Sequence, residues 1–300
     1  MNTPLAIEIL LASAFSASLY VVLRYFGVWK VNNLHGLTAN YLTAASLSFC
    51  WNFSANLHAA QSAAWMVPYA VGIGMLFIGV FYIAALTTQK AGITITSIAG
   101  KMSMVIPICA GIILFNDQVT SARIIGMLLA LLAVLLSTYS KSKGESHQKI
   151  DAGTVLLPVI LFIGSGMVDT SIKLSEHYLM EGEGDQLFVS MLFGSAGLIG
   201  IVLTFRGFLF SRFERRKAWP NRRSILAGVL LGTLNFFSLL FLINALASPG
   251  AESSLIFAIT NVLVVLFSTA SGLILFREKL NPTKIAGLAV AIISIIILSR

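Results

Sequence analysis

Residues 110–132 read AGIILFNDQVTSARIIGMLLALL, and residues 271–293 read SGLILFREKLNPTKIAGLAVAII. A shift of 161 residues superimposes the two stretches and pairs Gly111 with Gly272, Ile113 with Ile274, Leu114 with Leu275, Phe115 with Phe276, Asp117 with Glu278, Arg123 with Lys284, and Gly126 with Gly287. A second match, at a shift of 160, pairs Gly72, Phe77, Phe81, Ile83, Ala85, Leu86 and Ala91 with Gly232, Phe237, Phe241, Ile243, Ala245, Leu246 and Ala251. Two matches in the same order at nearly the same shift predict an internal duplication.

The composition places this duplicated chain in a membrane. Hydrophobic residues make up 57% of its 300 residues and charged residues only 11%, and the mean hydropathy is +0.89. Soluble domains carry about 25% charged residues. A chain this poor in charge could not cover its surface for water, whereas lipid tails solvate an apolar exterior. The net charge of +8 sits in short loops between apolar runs, which indicates membrane topology and not nucleic-acid binding.

The apolar runs are long enough to cross a bilayer about ten times, since one spanning helix needs roughly 20 apolar residues. Between Lys30 and Lys90 there is no charged residue, which leaves room for two spans separated by the polar segment 52–61. The other runs are residues 5–23, 91–115, 124–140, 153–176, 186–205, 224–247, 253–276 and 283–299. The predicted fold is therefore an all-α integral membrane protein.

The charged loop 141–151 divides the ten runs into five and five. The sequence thus predicts a first five-helix repeat at residues 1–145 and a second at residues 146–300. Because five is odd, the second copy enters the membrane from the opposite side, which makes the repeat inverted. Inverted repeats recur in secondary transporters, with the substrate site near the middle of the membrane.

At this point the chain resembles the EamA-like family of the drug/metabolite transporter superfamily. The resemblance rests on ten spans in 300 residues, short loops, and two helices that end in ILFND and ILFRE before helices that open with IIG and IAG. The family usually has Gly-Glu where this chain has Asn116-Asp117 and Arg277-Glu278. The resemblance implies a facilitated or proton-coupled transporter with a central cavity lined by helices one, three, four, six, eight and nine.

Two charged residues lie deep in predicted spans, where a charge costs at least about 2.5 kcal/mol. Lys101 stands about ten residues into the fourth run, and Asp169 lies in the sixth. For Lys101 the alternatives are a structural ion pair between two helices, a side chain that extends to the membrane interface, and a substrate-contacting or gating role. Asp169 can pair with Lys173 one helical turn later, or with Lys101 across the cavity.

Uncharged polar residues extend the candidate site. Asn235 in the eighth run and Asn261 in the ninth are costly to bury without partners, so we predict that both bind substrate. Ser13 and Ser16 lie among alanines, which is more typical of close helix packing. Glu8 is near a helix end, where water reaches it.

The sequence favours a transporter over other membrane functions. A basic and an acidic group in one cavity suit a zwitterion such as an amino acid, and a coupled proton is left open. The direction of transport is also left open, export included. The alternatives are a membrane-embedded enzyme and an assembly factor. No metal-ligand spacing or nucleophile–base arrangement is found among the residues, so we expect no catalysis, metal or cofactor.

The two cysteines, Cys50 and Cys109, lie in apolar runs and are predicted to be free thiols. The N-terminus has no Lys or Arg before the first apolar run, which argues against a cleaved signal peptide.

Basic residues predict the orientation in the cell membrane. Sixteen of the 20 Lys and Arg residues follow odd-numbered spans, namely Arg24, Lys30, Lys90, Lys141, Lys143, Lys149, Arg206, Arg212, Arg215, Arg216, Lys217, Arg222, Arg223, Arg277, Lys279 and Lys284. The opposite side has Arg123, Arg300 and the acidic loop 176–186. The positive-inside rule makes the basic side cytoplasmic, so both termini are predicted to be non-cytoplasmic.

Overall fold

The computed structural model describes residues 3–51, 53–60, 63–115, 120–138, 152–179, 185–210, 220–246, 248 and 253–298. In this part of the chain all regular structure is helical. The helices are α1 (Thr3–Val28), α2 (Asn33–Trp51), α3 (Phe53–Ala60), α4 (Val67–Ala91), α5 (Ile93–Met102), α6 (Val105–Phe115), α7 (Ser121–Thr138), α8 (Ala152–Leu179), α9 (Asp185–Phe210), α10 (Arg222–Leu246), α11 (Ser253–Phe276) and α12 (Pro282–Leu298), with a 3₁₀ turn at Ala63–Met66.

Eight helical segments of the described residues are long and apolar enough to cross a membrane, and their bounds are Pro4–Val28, Ala64–Ala91, Ile93–Leu114, Ser121–Thr138, Val155–Ser175, Leu187–Arg206, Arg222–Leu246 and Leu255–Phe276. A shorter apolar helix follows at Pro282–Leu298. Helices suit these sequences because a bilayer offers no hydrogen-bond partner to an unpaired backbone group. The prediction of an all-α, multi-pass membrane protein is therefore confirmed.

Side chains just before three helices supply the hydrogen-bond acceptors that free helical amides need. The Oδ1 of Asn221 accepts from the Ser224 amide at 2.7 Å at the start of α10. Asn32 does the same for α2 at 3.3 Å, and the hydroxyl of Thr120 does so for α7 at 3.3 Å. Such N-caps fix where a helix begins.

The chain forms two compact units. Unit 1 comprises residues 1–24, 83–167 and 237–300, and unit 2 comprises residues 25–82 and 168–236. Each unit draws segments from both predicted repeats, 1–145 and 146–300. The units therefore describe packing, whereas the predicted repeats describe a similarity of sequence, and the duplication stays a prediction.

Within unit 1, α7 and α12 form a close seam built on two glycines. A methyl group added at Gly126 of α7 would overlap the side chain of Leu298, and one added at Gly287 of α12 would overlap Ser137. The seam also includes a hydrogen bond at 2.8 Å from the Ser294 hydroxyl to the Gly126 carbonyl. Gly126 and Gly287 are 161 residues apart, and so are Ser137 and Leu298. The shift that relates the two sequences therefore converts the contact of Gly126 with Leu298 into the contact of Gly287 with Ser137.

The core of unit 1 lies where α5, α7, α11 and α12 meet. Buried side chains from these helices form one apolar cluster that includes Ile98, Met102, Ala130, Val265 and Ile295. At the other extreme, matched residues at the ends of α6 and α11 face outward to the same degree. Ile113 is 76% exposed and Ile274 is 77% exposed, while Leu114 and Leu275 are both 51% exposed. Large apolar side chains with this exposure are solvated by lipid in a membrane protein.

Within unit 2, protein encloses one face of α2. Methyl groups added at Gly197 and Gly200 of α9 would overlap Leu42 and Thr38 of α2, and one added at Gly228 of α10 would overlap the Gly36 backbone. Small residues that let backbones approach closely are typical of helix contacts in membranes.

This enclosure explains why α2 is less apolar than the eight segments above. Its polar residues His35, Thr38, Asn40 and Ser48 are buried, and partners are close at hand. The Ser48 and Ser190 hydroxyls are 2.8 Å apart, and Thr38 donates to the Leu34 carbonyl at 2.8 Å. Because protein and not lipid faces these buried residues, polar side chains are tolerated there.

Candidate functional site

The fourth predicted run, residues 91–115, is interrupted near its middle. Helix α5 ends at Met102 and α6 begins at Val105, with turn residues Ser103 and Met104 between them. The sequence predicts one helix for this run, and the structure differs from that prediction at the interruption. Pro107 in the first turn of α6 is the one local signal, because proline lacks the amide hydrogen that a continuous helix would use.

The hydrogen bonds around the interruption follow from that missing donor. The Ser103 carbonyl, which a continuous helix would pair with residue 107, accepts instead from the Ile106 amide at 2.9 Å. The Ser103 hydroxyl turns back to the Gly100 carbonyl at 2.6 Å. Regular pairing resumes with the Ile108 amide and the Met104 carbonyl at 3.3 Å. The interruption is thus a local, hydrogen-bonded change of helical geometry.

Lys101 lies in the last turn of α5, directly before the interruption, and its side chain is partly buried. The hydroxyl of Tyr20 from α1 lies beside Gly100, the residue that precedes Lys101. A methyl group added at Gly100 would be 3.0 Å from that oxygen. A lysine ammonium and a tyrosine hydroxyl both offer hydrogen-bond donors. Tyr20 was not predicted as a site residue, because nothing in its sequence neighbourhood marks it.

Asn261 reaches the same interruption from α11. Its side-chain amide nitrogen lies 4.0 Å from the sulfur of Met104, a long and weak contact. The amide is partly buried. Two of the four predicted site residues therefore lie at the same interruption in unit 1: Lys101 precedes it in α5, and Asn261 contacts Met104 within it.

The preceding residue of α11, Thr260, shows how α1 joins this region. The Ser13 hydroxyl is fully buried and donates to the Ile9 carbonyl at 2.7 Å, with the Thr260 carbonyl at 3.5 Å. Ser13 thus packs α1 against α11, as the packing interpretation of the serines predicts. The hydroxyl of Thr260 is buried and has no hydrogen-bond partner among the described residues.

Asn235 is placed differently from Asn261. It lies in unit 2, it is buried, and its amide donates to the Oδ1 of Asn40 on α2 at 3.4 Å. Asn40 is fully buried, and its amide nitrogen has no partner among the described residues. The pair satisfies two buried amides in part, so a structural role accounts for the position of Asn235 as well as a binding role would.

Asp169 lies in unit 2, inside the candidate span Val155–Ser175 of α8, and its side chain is exposed. Lys173, one turn later, is partly buried. Because Asp169 and Lys101 belong to different units, their pairing stays a prediction from the sequence.

Other predictions concern thiols and metals. Cys50 and Cys109 are free thiols, as predicted. Among the described residues there is no group of three His, Cys, Asp or Glu side chains that could hold a metal. Asp117, which the repeat matches with Glu278, lies outside the described residues.

Fold and site together define a class: a multi-pass α-helical membrane protein with an interrupted span and a lysine at the interruption. No family model matches the chain. A protein of Haemophilus influenzae (strain ATCC 51907 / DSM 11121 / KW20 / Rd), itself described as uncharacterized, is 28% identical over 221 residues, covering 74% of this chain and 71% of that protein. A solved structure, described only as the crystal structure of a protein, covers 99% of this chain and 96% of its own, with a TM-score of 0.58 and 10% identity. That likeness supports the fold alone.

Proposed function

We propose that this protein is a secondary transporter that moves a small polar or zwitterionic metabolite, amino-acid-like in its charges, by alternating access. The observation that carries the proposal is the interruption of a candidate span directly after Lys101. In secondary transporters, interrupted helices form the substrate site near the middle of the bilayer. A lysine inside a span is itself a mark of function, because its charge is expensive there.

The chemistry at the interruption suits a carboxylate. The Lys101 ammonium attracts an anion more strongly as the local dielectric falls, and uncharged hydrogen-bond donors lie near the neighbouring backbone, the Tyr20 hydroxyl at Gly100 and the Asn261 amide at Met104. For a zwitterion, an acidic group must take the amine, and Asp169 is the residue that the sequence proposes. A proton that Asp169 exchanges would couple transport to pH.

Three features support ten spans arranged as two inverted repeats. Helix α2, which is buried on one face, and α12 raise the eight candidate spans to ten. The α7–α12 seam contains two contacts that the shift of 161 residues exchanges. The outward-facing pairs Ile113–Ile274 and Leu114–Leu275 match in exposure as well as in sequence. Ten spans, five plus five, are what the resemblance to the EamA-like drug/metabolite transporters implies, and we assign the chain to that family as a proposal.

The experiment that tests the function is transport in vesicles. Purified protein is reconstituted into liposomes, and uptake of a panel of radiolabelled amino acids is measured with and without a proton gradient. We expect saturable uptake of at least one of them, reduced to the level of protein-free vesicles by Lys101→Met. Uptake that survives Lys101→Met unchanged would remove the residue from the site. Protein that stays folded but moves no compound of the panel would favour an assembly factor or an enzyme.

Orientation is part of the same proposal, with the cell membrane as the location and both termini non-cytoplasmic. Single cysteines are placed at position 215 and, as a counterpart, at position 182, in a protein without Cys50 and Cys109. A membrane-impermeant maleimide added to intact cells should label position 182 and leave position 215 unmodified. The reverse pattern would invert the topology.

A further inference from the structure

A carboxylate from a distant part of the chain completes the start of the helix that bears Lys101. The Oε1 of Glu278 accepts from the Ile93 amide at 2.6 Å. Its Oε2 accepts from the Thr94 amide at 3.3 Å and from the Thr94 hydroxyl at 3.0 Å. Gly92, at the N-cap position of α5, has no side chain to do this. A negative charge at a helix N-terminus is held both by the free amides and by the helix dipole.

The surroundings of this carboxylate are shaped to admit it. A methyl group at Gly92 would lie 2.6 Å from Oε1, and one at Gly272 would lie 2.7 Å from Oε2. Arg277 has a φ of 52°, a left-handed turn that ends α11. After this turn the Glu278 amide donates to the Gly272 carbonyl at 3.0 Å. A left-handed conformation outside glycine is uncommon and is held here by the bonds that Glu278 makes.

The same end of unit 1 is tied by a second set of contacts. Arg24 at the end of α1 donates to the last carbonyls of α4, at Thr88 at 2.8 Å and at Gln89. The Gln89 side chain returns a bond to the Leu23 carbonyl at 3.3 Å. The Arg24 guanidinium also lies over the ring of Phe276, 5.9 Å from its centroid. Helices α1, α4, α5 and α11 are therefore joined at this end. It is the end where the basic loops lie, which the sequence predicts to be cytoplasmic.

We propose that Glu278 is a gating residue: its carboxylate is a latch that holds the turn after α11 on the start of α5 and closes the cytoplasmic end of unit 1. This inference rests on the proposed transport function. Opening toward the cytoplasm breaks the bonds of Glu278 to Ile93 and Thr94 and exposes the first turns of α5, which lead to Lys101. The two glycines and the left-handed Arg277 set the closed position.

The latch can be tested without transport. Ser97, one turn into α5, is fully buried, and it is replaced by cysteine in a protein without Cys50 and Cys109. The rate of labelling by a membrane-impermeant maleimide is measured in inside-out and right-side-out vesicles. Because bonds to a charged acceptor are among the stronger ones, we expect Glu278→Ala to raise the rate about tenfold from the cytoplasmic side only. Lys279→Ala, the exposed neighbour, is the matched control and leaves the rate unchanged.

A second variant guards against a substitution that prevents folding. The substitutions Thr94→Cys and Glu278→Cys are combined in a protein without Cys50 and Cys109. A short crosslinker that a reductant cleaves then joins the two thiols. In this protein, which keeps Ser97, we expect the crosslink to stop uptake and its cleavage by the reductant to restore uptake. Unchanged labelling in folded Glu278→Ala, or uptake that continues when the crosslink is complete, overturns the latch. Faster labelling in a protein that transports nothing upholds the latch and rejects the proposed function.

Discussion

Two segments that the predicted repeat matches differ where the proposed site lies: one is the pair α5–α6 (Ile93–Phe115), and the other is the single helix α11 (Ser253–Phe276). Their last turns agree: Gly111 and Gly272 are both buried four residues before the helix ends. Farther from those ends, α11 continues without interruption, whereas its counterpart stops at Met102 and restarts at Val105. Pro107 in one copy corresponds to Ser268 in the other under the shift of 161 residues.

Under the proposed duplication, this difference gives the two copies separate tasks in unit 1. The uninterrupted α11 supplies a scaffold, and its buried Val264 and Val265 fill the positions that match Ser103 and Met104. The interrupted copy carries the charge and the turn. In the proposed transporter the binding site is a local exception in an otherwise regular bundle, and the exception is tolerated because a matched helix keeps the packing regular.

The largest effect is expected from the charge itself. Lys101→Met keeps the length of the side chain and removes the ammonium, and bonds to charged groups are worth about 1.5–3 kcal/mol each. We expect uptake to fall by about 100-fold, since each 1.4 kcal/mol is about tenfold. The measurement is initial uptake in proteoliposomes. Lys90→Met, an exposed lysine at the end of α4, should change uptake less than twofold, and an equal loss in both variants would contradict a specific role for Lys101.

The proposed partner of that charge can be tested in the same assay. Asp169→Asn alone should weaken uptake or change its dependence on pH. If Lys101 and Asp169 form only a structural pair, the double variant Lys101→Met/Asp169→Asn leaves neither charge alone and restores folding and uptake. Uptake near the wild-type level in the double variant would remove both residues from the site.

A smaller effect is expected from the interruption. Pro107→Ala restores an amide hydrogen opposite the Ser103 carbonyl, so that the helix can close over the turn. We expect amides of residues 103–108 to exchange with deuterium about tenfold more slowly, and uptake to fall by about the same factor, because local opening sets both. Hydrogen-exchange mass spectrometry gives the first quantity. Slower exchange with unchanged uptake would separate the interruption from transport.

The converse change tests whether α11 could serve as the interrupted copy. Ser268→Pro places a proline inside a continuous helix, where it costs about 3 kcal/mol. We expect a lower thermal midpoint for Ser268→Pro and little change for Ser268→Ala. A proline variant as stable as the alanine variant would show that both copies tolerate an interruption.

These helices also mark the limit of prediction from the sequence. The duplicated motif and the apolar runs predict an all-α membrane protein because lipid imposes both helix length and composition. The interruption could not be predicted, since Pro158 lies inside α8 and leaves that helix continuous. Whether a proline interrupts a helix depends on neighbours that satisfy the freed carbonyl, and those neighbours come from tertiary packing.

For the candidate site, too, the sequence indicates some residues and not others. Lys101 stands out in the sequence because a charge in an apolar run is rare, and the structure puts it at the interruption. Tyr20, Asn40 and the contact of Glu278 with α5 could not be found from the sequence, since their partners are brought close only by folding. Asn235 looked like a binding residue, yet its neighbour Asn40 gives it a structural alternative.

A stability prediction tests the comparison of the two copies at the α7–α12 seam. Leucine at Gly126 or at Gly287 would overlap the opposite helix, and overpacking of this kind costs about 1–3 kcal/mol. We expect both variants to lower the thermal midpoint by similar amounts, because the two contacts are related by the repeat. Gly79→Leu is the matched control, since a methyl group there meets nothing within 4 Å. A large loss at one glycine and none at the other would count against a symmetric seam.

The smallest effect is expected at Asn261, the residue through which α11 reaches the interruption. Its contact with Met104 is long, so Asn261→Ala removes little packing and leaves the fold intact. A neutral hydrogen bond to substrate is worth about 1 kcal/mol, which predicts a KM raised about fivefold and an unchanged maximal rate. Asn244→Ala, at an exposed asparagine of α10, should leave both constants as they are. A lower maximal rate at constant KM would show instead that Asn261 acts on the opening and closing of the helices, and the scaffold copy would then take part in the motion as well as in the packing.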